Sequence, residues 1–267
     1  MELLARSEPV VGPRLRKSER REQILLDLRL RPHVRIAELA QRFGVTPETV
    51  RRDVDALSKK GLISRAHGGA SAQPHGYYPG FDERSRARLR QRERIGKLAA
   101  GLVHSNETVM IDSGSTTLQL ARFLAFEGTP CTVLTNSLQV AMALGQGDKA
   151  QVILCPGDYL ATEAAVVGAE TIEFLGHYRV DRCLIGASGL SEAGPSETVR
   201  GFAAIKRAMI RRSAATHLLI DSEKFDRTGL AHVGDLGALA SVVVEKPPEG
   251  NLNSALREAG VEVLVAP

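Results

Sequence analysis

The sequence has no long apolar run of the kind that crosses a membrane. Of its 267 residues, 43% are hydrophobic and 25% are charged, and no stretch approaches the roughly 20 consecutive apolar residues that a membrane-spanning helix needs. Within the first 17 residues, an acidic residue, two prolines and a basic cluster interrupt a short apolar start, which is not the pattern of a secretory signal. We expect a cytoplasmic protein that does not associate with membranes.

Cysteine is scarce, and its spacing argues against disulfides and metal sites. Cys131, Cys155 and Cys183 are odd in number, lack CxxC spacing, and each lies in an apolar run. Single cysteines are among the residue types most often buried in protein cores. We expect three reduced core residues, no metal site and no bound cofactor.

Basic residues are concentrated towards one end of the chain. Residues 1–97 contain 22 Lys and Arg against 12 Asp and Glu, a net charge of +10, whereas residues 98–267 contain 13 against 19, a net charge of −6. A basic region attracts a polyanion such as DNA, because each neutralised phosphate releases condensed counterions. The length of the chain favours two domains, so we expect a small basic module followed by a larger one.

Three short helices are predicted in the basic region. Residues 19–31 place apolar side chains on one helical face, and Pro32 interrupts that pattern. Residues 36–43 have the i, i+3, i+4, i+7 spacing of a core-facing stripe, and Gly44 supplies a helix stop. Thr46 is a candidate N-cap for a third helix, and Pro47 suits its first position.

The short connection between the second and third helices predicts a helix-turn-helix. Such a pair crosses steeply, and its second helix enters the major groove of DNA. The segment after Gly61 predicts a hairpin wing with a Gly68–Gly69 turn. Taken singly, each polar residue here could equally be a solvated surface residue, but their combined order favours DNA binding. The candidate DNA-binding residues are Thr46, Glu48, Thr49, Arg51, Arg52, Arg65 and His67.

From residue 98 onwards, strand-like apolar runs alternate with helical segments. Seven such runs, from TVMIDS at residue 108 to VEVLVAP at residue 261, predict an α/β domain with a mainly parallel open sheet. Ligands of such sheets bind at the loops beyond the carboxyl ends of the strands.

Polar and glycine-rich loops follow three of these predicted strands. The first, residues 112–117, opens a helix whose free N–H groups and neighbouring hydroxyls suit an anion such as phosphate, although a plain N-cap without ligand is the alternative. Lys206 and Lys224 are candidate phosphate partners or ordinary surface lysines. The candidate ligand-binding residues are Asp112, Ser113, Gly114, Ser115, Thr116, Thr117, Thr135, Asn136, Gly186, Ala187, Ser188, Gly189, Lys206 and Lys224.

Several of these motifs resemble one family. Residues 46–70, TPETVRRDVDALSKKGLISRAHGGA, resemble the winged helix-turn-helix signature of the DeoR family of bacterial regulators, with its Thr-x-Arg-Arg-Asp and Arg-x-His-Gly-Gly pattern. The later motifs DSGSTT, TNS, IGASG, IKRAM and DSEKF resemble the family's C-terminal domain. The resemblance covers essentially everything after the first 17 residues.

The resemblance implies a transcriptional regulator, a repressor of a sugar-metabolism operon that a phosphorylated sugar effector relieves. It also implies a C-terminal fold similar to that of sugar-phosphate isomerases, and it adds Gly157 to the effector-binding residues. The resemblance further implies a homo-oligomer, a dimer or tetramer. Its paired DNA-binding domains would bind palindromic or repeated half-sites of double-stranded operator DNA. The chain departs from the usual family pattern at Pro156, Leu160, Ala204 and Glu223, which bears on the effector's identity and not on the fold.

We predict three parts: a winged helix-turn-helix at 18–72, a linker and connecting helix at 73–97, and an α/β effector-sensing domain at 98–267. The connector has arginine at every second position from 84 to 94, a spacing that scatters charge around a helix and favours a solvated linker.

Two alternatives to an effector-controlled regulator remain open. The first is a sugar-phosphate isomerase-like enzyme with an appended DNA-binding head, for which Asp112, Asp181 and Lys206 would supply polar groups. The second is a nucleoid-like DNA binder without effector control. Because no feature places a general base against an oxyanion site, we assign no catalytic residues and expect no enzyme activity.

Overall fold

The computed structural model describes residues 15–30, 33–59, 63–66, 68–72, 81, 84 and 87–267. The predicted DNA-binding residue His67 lies outside the described residues. The chain divides into two compact units between Tyr77 and Tyr78. Within the described ranges, no helix combines the length and the apolar character that crossing a bilayer would require.

The N-terminal unit combines three helices with a small antiparallel sheet. Its elements are α1 (Lys17–Leu30), β1 (His33–Arg35), α2 (Ile36–Phe43), α3 (Pro47–Lys59), β2 (Ile63–Ala66) and β3 (Gly69–Ala72). β3 is the central strand and pairs with both β1 and β2. The three predicted helices and the predicted wing hairpin, which β2 and β3 form, are confirmed, whereas β1 was not predicted.

One apolar core holds the N-terminal unit together. The second helix ends at Gly44, whose φ of 61° is the left-handed conformation that glycine adopts without strain. The predicted inward faces of the helices are buried, with Ile36 and Leu25 only partly so. The fully buried members of this core are Ile24, Leu28, Val34, Leu39, Ala40, Phe43, Val50, Val54, Leu57, Ile63 and Ala70.

The C-terminal unit is built on a parallel sheet of seven strands. In spatial order these are β15 (Glu262–Val265), β14 (Ser241–Val244), β12 (Ser213–Leu219), β9 (Val180–Ile185), β4 (Thr108–Ile111), β5 (Cys131–Thr135) and β6 (Ala150–Leu154). Every neighbouring pair is parallel. The seven predicted strands and their parallel arrangement are therefore confirmed.

Helices and short strands surround this sheet. The helices are α4 (Leu89–Ala100), α5 (Ser115–Glu127), α6 (Leu138–Leu144), α7 (Ala169–Gly176), α8 (Arg200–Arg211) and α9 (Gly250–Glu258). The short strands are β7 (Asp158–Leu160), β8 (Ala165–Val167), β10 (Gly189–Ser191), β11 (Gly194–Glu197) and β13 (Ala231–His232). The short strands form two small antiparallel sheets, β7 with β8 and β10 with β11 and β13.

Two apolar clusters cover the two faces of the parallel sheet. Consecutive residues of a strand point to opposite faces, so Ile111 packs with α4, α5 and α6, whereas its neighbour Met110 packs with α7, α8 and α9. β12 divides in the same way, with Leu219 on the α5 face and Ile220, just after the strand, on the α8 face. Because of this alternation, the polar residues at the strand ends also face different helices on the two sides of the sheet.

The three cysteines are buried as expected. Cys131, Cys155 and Cys183 are all free thiols within the apolar clusters. Burial raises the pKa of each thiol, which keeps the reactive thiolate form rare. They are core residues of the C-terminal unit.

Gly96 allows α4 and α5 to pack closely. A Cβ at this position would lie 2.7 Å from the backbone nitrogen of Leu120 and from the Cβ of Gln119. We expect Gly96→Ala to lower the free energy of unfolding by about 1–3 kcal/mol, because the added carbon forces the helices apart. Urea denaturation measures the change. Gly101→Ala is the matched control, since its Cβ would meet only Leu98 O at 3.4 Å, and equal stabilities of the two variants would refute the close packing.

Candidate functional site

The third helix presents a basic outer surface. Its N-terminus is capped as predicted, because Thr49 N donates a hydrogen bond to Thr46 Oγ1 at 3.3 Å. The side chains of Arg51 and Arg52 are 56% and 79% exposed. Each lies 3.5 Å from Glu48, and such surface pairs are weak enough to leave both guanidinium groups accessible to a polyanion.

The wing contributes one further exposed arginine. Arg65 on β2 is 66% exposed and lies 3.3 Å from Asp55 of α3. Arg51 and Arg65 line a common surface groove with Pro47 and Gly69. The fold thus brings the arginine of the wing next to the helix that carries the other candidate DNA-binding residues.

Asp53, the aspartate of the Thr-x-Arg-Arg-Asp pattern, has a structural position that the sequence did not reveal. It is only 2% exposed, and its two carboxylate oxygens accept hydrogen bonds from Arg20 Nε at 2.9 Å and Arg21 Nε at 3.0 Å. Asp53 therefore joins α1 to α3 and holds the outer face of α3 in place.

In the C-terminal unit, four polar residues meet at the carboxyl edge of the sheet. Asp112, just after β4, pairs through Oδ2 with Lys206 Nζ of α8, and its Oδ1 accepts a hydrogen bond from Gly186 N at 3.1 Å. Glu197, at the end of β11, lies 3.3 Å from Lys206 Nζ and accepts a hydrogen bond from Ser188 Oγ at 2.5 Å. We call Asp112, Glu197, Lys206 and Ser188 the acidic cluster.

The acidic cluster is buried and contains two carboxyl groups for one ammonium. The side chains of Asp112, Glu197 and Lys206 are at most 5% exposed. Burial raises the pKa of Asp112, although Lys206 opposes the shift. One ammonium thus faces two carboxyl groups, so this cluster has no surplus positive charge to offer a phosphate. Sequence reasoning missed Glu197, because it lies in a short strand outside the seven predicted ones.

The loops after β4 and β5 are joined by side-chain amide contacts. Asn136 Oδ1 accepts a hydrogen bond from Ser113 N at 3.1 Å, and Asn136 Nδ2 lies 3.4 Å from Ser113 Oγ. Thr117 Oγ1 donates to the carbonyls of Asp112 and Gly114 at 3.0 Å. Thr135 Oγ1 instead accepts a hydrogen bond from the backbone N–H of its own loop, at Ser137. The N-cap of α5 is Gly114, which has no side chain to cap the helix, so the N–H groups of the first turn, which includes Ser115 and Thr116, lack intrahelical acceptors.

The remaining candidates have defined structural roles. Lys224 Nζ donates a hydrogen bond to Ala187 O at 2.6 Å, which anchors the loop after β9. Gly157 has a φ of 143°, and a Cβ there would lie 2.3 Å from Thr171 Oγ1. A Cβ at Gly189 would lie 2.2 Å from Arg227 O. Both glycines are therefore required by close packing, whether or not they also contact a ligand.

The expectation that the connector arginines form a solvated linker is wrong for Arg84 and Arg92. Arg84 makes a double hydrogen bond with Glu163, at 3.0 and 2.5 Å, and both side chains are 8% exposed. Arg92 is 5% exposed and bonds Asp221 at 3.2 Å. The physical reason is that Arg88, with a φ of 50° just before α4, interrupts a continuous helix through the connector, and that Arg92 lies on the buried side of α4.

Arg88 connects the start of α4 to two strand ends. Its guanidinium contacts Asp221 after β12 at 3.4 Å, Glu223 at 3.0 Å, and Glu245 after β14. Glu245 in turn accepts hydrogen bonds from the backbone N–H and the hydroxyl of Ser222. We call Arg88, Arg92, Asp221 and Glu245 the arginine clamp; it fastens α4 to the carboxyl edge of the sheet.

A winged helix-turn-helix with an exposed basic helix, followed by an α/β unit with a polar carboxyl edge, defines a DNA-binding transcriptional regulator. The chain belongs to the DeoR family. The family model for the DeoR-like helix-turn-helix domain matches residues 20–74, and that for the DeoR C terminal sensor domain matches residues 87–246.

Named relatives agree with this assignment. The chain is 26% identical over 250 residues to the glycerol-3-phosphate regulon repressor of Escherichia coli K12, covering 93% of this chain and 99% of that protein. It is 31% identical to the L-fucose operon activator of Haemophilus influenzae, over 81% of this chain and 87% of that protein. A ribose 5-phosphate isomerase A from Neisseria gonorrhoeae is similar in structure over 58% of this chain and 57% of its own, at 16% identity and a TM-score of 0.38. Membership of the DeoR family favours a regulator over the isomerase-like enzyme considered above.

Proposed function

We propose that the chain represses a sugar-metabolism operon in the cytoplasm by binding double-stranded operator DNA as a homo-oligomer. The observation that carries this proposal is the pair of exposed arginines, Arg51 and Arg52, on the outer face of a capped α3. Arginine reads guanine through two parallel hydrogen bonds or binds phosphate. Two copies related by a two-fold axis would place two such helices on the half-sites of a palindrome.

We further propose that a phosphorylated sugar binds at the carboxyl edge of the sheet and lowers operator affinity. The first turn of α5, from Ser115 to Thr117, has no side-chain cap and suits the phosphate, because the free N–H groups at a helix N-terminus point towards an anion. The acidic cluster suits sugar hydroxyls, because carboxylates accept their hydrogen bonds. A phosphorylated polyol also appears in the name of the glycerol-3-phosphate regulon repressor.

The DNA-binding part is tested by fluorescence anisotropy at fixed salt with the upstream sequence of the chain's own operon and a scrambled duplex. We expect Arg52→Ala to weaken operator binding about 5- to 150-fold, the range of one lost bidentate base contact. Arg257→Ala removes the same charge from an exposed position on α9 and should leave binding unchanged. If the wild-type chain binds both duplexes equally, the proposed recognition of an operator is wrong.

The effector part is tested by adding a panel of sugar phosphates to the preformed operator complex. Allosteric coupling of ordinary size corresponds to about a 5- to 150-fold loss of operator affinity. The unphosphorylated sugars serve as controls, because they lack the group that α5 is proposed to hold. If no phosphorylated sugar changes the affinity, the proposed effector class is wrong.

A further inference from the structure

We propose that Arg92 of α4 is the cation that binds the phosphate group of the effector. The effector would then act directly on α4, a helix near the start of the C-terminal unit. This inference rests on the proposed function, because it deepens the assignment of the same effector site.

The packing of α4 against α5 puts Arg92 and the first turn of α5 at the same end of the two helices. The two helices meet at Gly96, which lies against Gln119 and Leu120. Helix α4 directly precedes β4, and α5 directly follows it. Both helices therefore run antiparallel to the strands, and their N-termini lie at the carboxyl edge of the sheet. One helical turn earlier, about 5.4 Å along each axis, stand Arg92 on α4 and Ser115 and Thr116 on α5.

Arg92 is buried, and its hydrogen bonds are incomplete. Its side chain is 5% exposed. Its Nη atoms donate to Asp221 and to the carbonyls of Arg84 and Ala87. Its Nε is buried without a hydrogen-bond acceptor among the described residues. A buried donor without an acceptor is costly, and a phosphate oxygen at the start of α5 would supply one.

Lys206 and Lys224, the two lysines that the sequence singled out, are less suited to the phosphate. Lys206 faces Asp112 and Glu197 on the α8 face of the sheet, whereas α5 lies on the opposite face. Lys224 donates to Ala187 O at 2.6 Å. A phosphate near Lys206 would also approach two carboxyl groups. The sugar hydroxyls therefore fit the acidic cluster, and the phosphate fits α5 and Arg92.

The arginine clamp allows Arg92 to change partner without leaving a bare carboxylate. Asp221 also contacts Arg88, at 3.4 Å. Arg88 is in turn held by Glu223 and Glu245. If a phosphate replaces Asp221 as the partner of Arg92, Asp221 stays paired with Arg88. The movement of the Arg92 side chain then acts on α4.

The test is a calorimetric titration of the full-length protein with inorganic phosphate, with ionic strength held constant. We expect Arg92→Gln to raise the half-saturating phosphate concentration about tenfold or more, since a charge-assisted hydrogen bond is lost. Arg92→Lys should restore part of the affinity. Arg90→Gln is the matched control, because Arg90 is an exposed arginine of the same helix and should bind phosphate as the wild type does.

Asp221→Asn separates a ligand role from a structural one. If Asp221 competes with the phosphate for Arg92, this variant should bind phosphate more tightly than the wild type. A merely structural ion pair predicts unchanged or weaker binding, which would overturn the proposal even if Arg92→Gln fails to fold. Wild-type affinity in Arg92→Gln, or no phosphate binding by the wild type, would overturn it too.

Operator binding without phosphate separates this inference from the proposed function. We expect the wild type to prefer operator over scrambled duplex when no phosphate is present. If that preference is present but the phosphate results fail, only the role of Arg92 is refuted. If the wild type has no operator preference, the proposed function itself fails.

Discussion

Replacing Lys206 with methionine is expected to lower the free energy of unfolding of the C-terminal unit by about 3–5 kcal/mol, the usual cost of removing one partner of a buried ion pair. Lys206 is 2% exposed and lies between Asp112 and Glu197. Without its ammonium, two buried carboxyl groups face each other. Urea denaturation at neutral pH measures the loss.

The loss of unfolding free energy in Lys206→Met, relative to the wild type, should depend on pH. Burial already raises the pKa of Asp112, against the opposing effect of Lys206. Without Lys206 that pKa rises further, so the folded state binds more protons than the unfolded state and loses stability as pH rises. The deficit should therefore be smaller at about pH 5 than at about pH 8.

Arg207→Met is the control for this variant, since it removes a cation from the next position of α8. Arg207 bonds only a backbone carbonyl, that of His232, among the contacts described. We expect a loss of less than about 1 kcal/mol for this change. A Lys206→Met protein as stable as Arg207→Met at every pH would contradict the buried charge arrangement of the acidic cluster.

Replacing Asp53 with alanine is expected to destabilise the N-terminal unit by about 2–3 kcal/mol, somewhat less than for a fully buried ion pair. The expected loss of stability is smaller because Arg20 and Arg21 are 12% and 22% exposed and remain partly hydrated when Asp53 is removed. Hydrogen exchange of the α1 and α3 amides reports this unit separately from the rest of the chain. Operator affinity should fall with it, although Asp53 itself is buried.

Asp27→Ala is the matched control within the same unit. Asp27 pairs with Arg42, but these side chains are 18% and 48% exposed. A surface pair of this kind contributes about 0–1 kcal/mol. If exchange of α1 and α3 accelerates equally in both variants, the assignment of Asp53 as the link between the helices is wrong.

Periodicity predicted the elements of this protein well, because it reports which face of each element is buried. The stripe in residues 36–43 and the stop at Gly44 correspond to α2, and each of the seven apolar runs became a strand of one parallel sheet. The same reasoning failed for the connector. It treated residues 84–94 as one helix, whereas Arg88 has a φ of 50° just before α4, and Arg84 and Arg88 make long-range ion pairs.

The sequence by itself determined the two units, their helices and strands, and the loops that meet at the carboxyl edge, since all of these follow from local spacing and from parallel connections. Only the tertiary structure decided the partners of the charged side chains. Glu197 meets Lys206 across 9 residues of chain, and Arg92 meets Asp221 across 129. Such pairs depend on how helices pack over a sheet, and no local pattern encodes that packing.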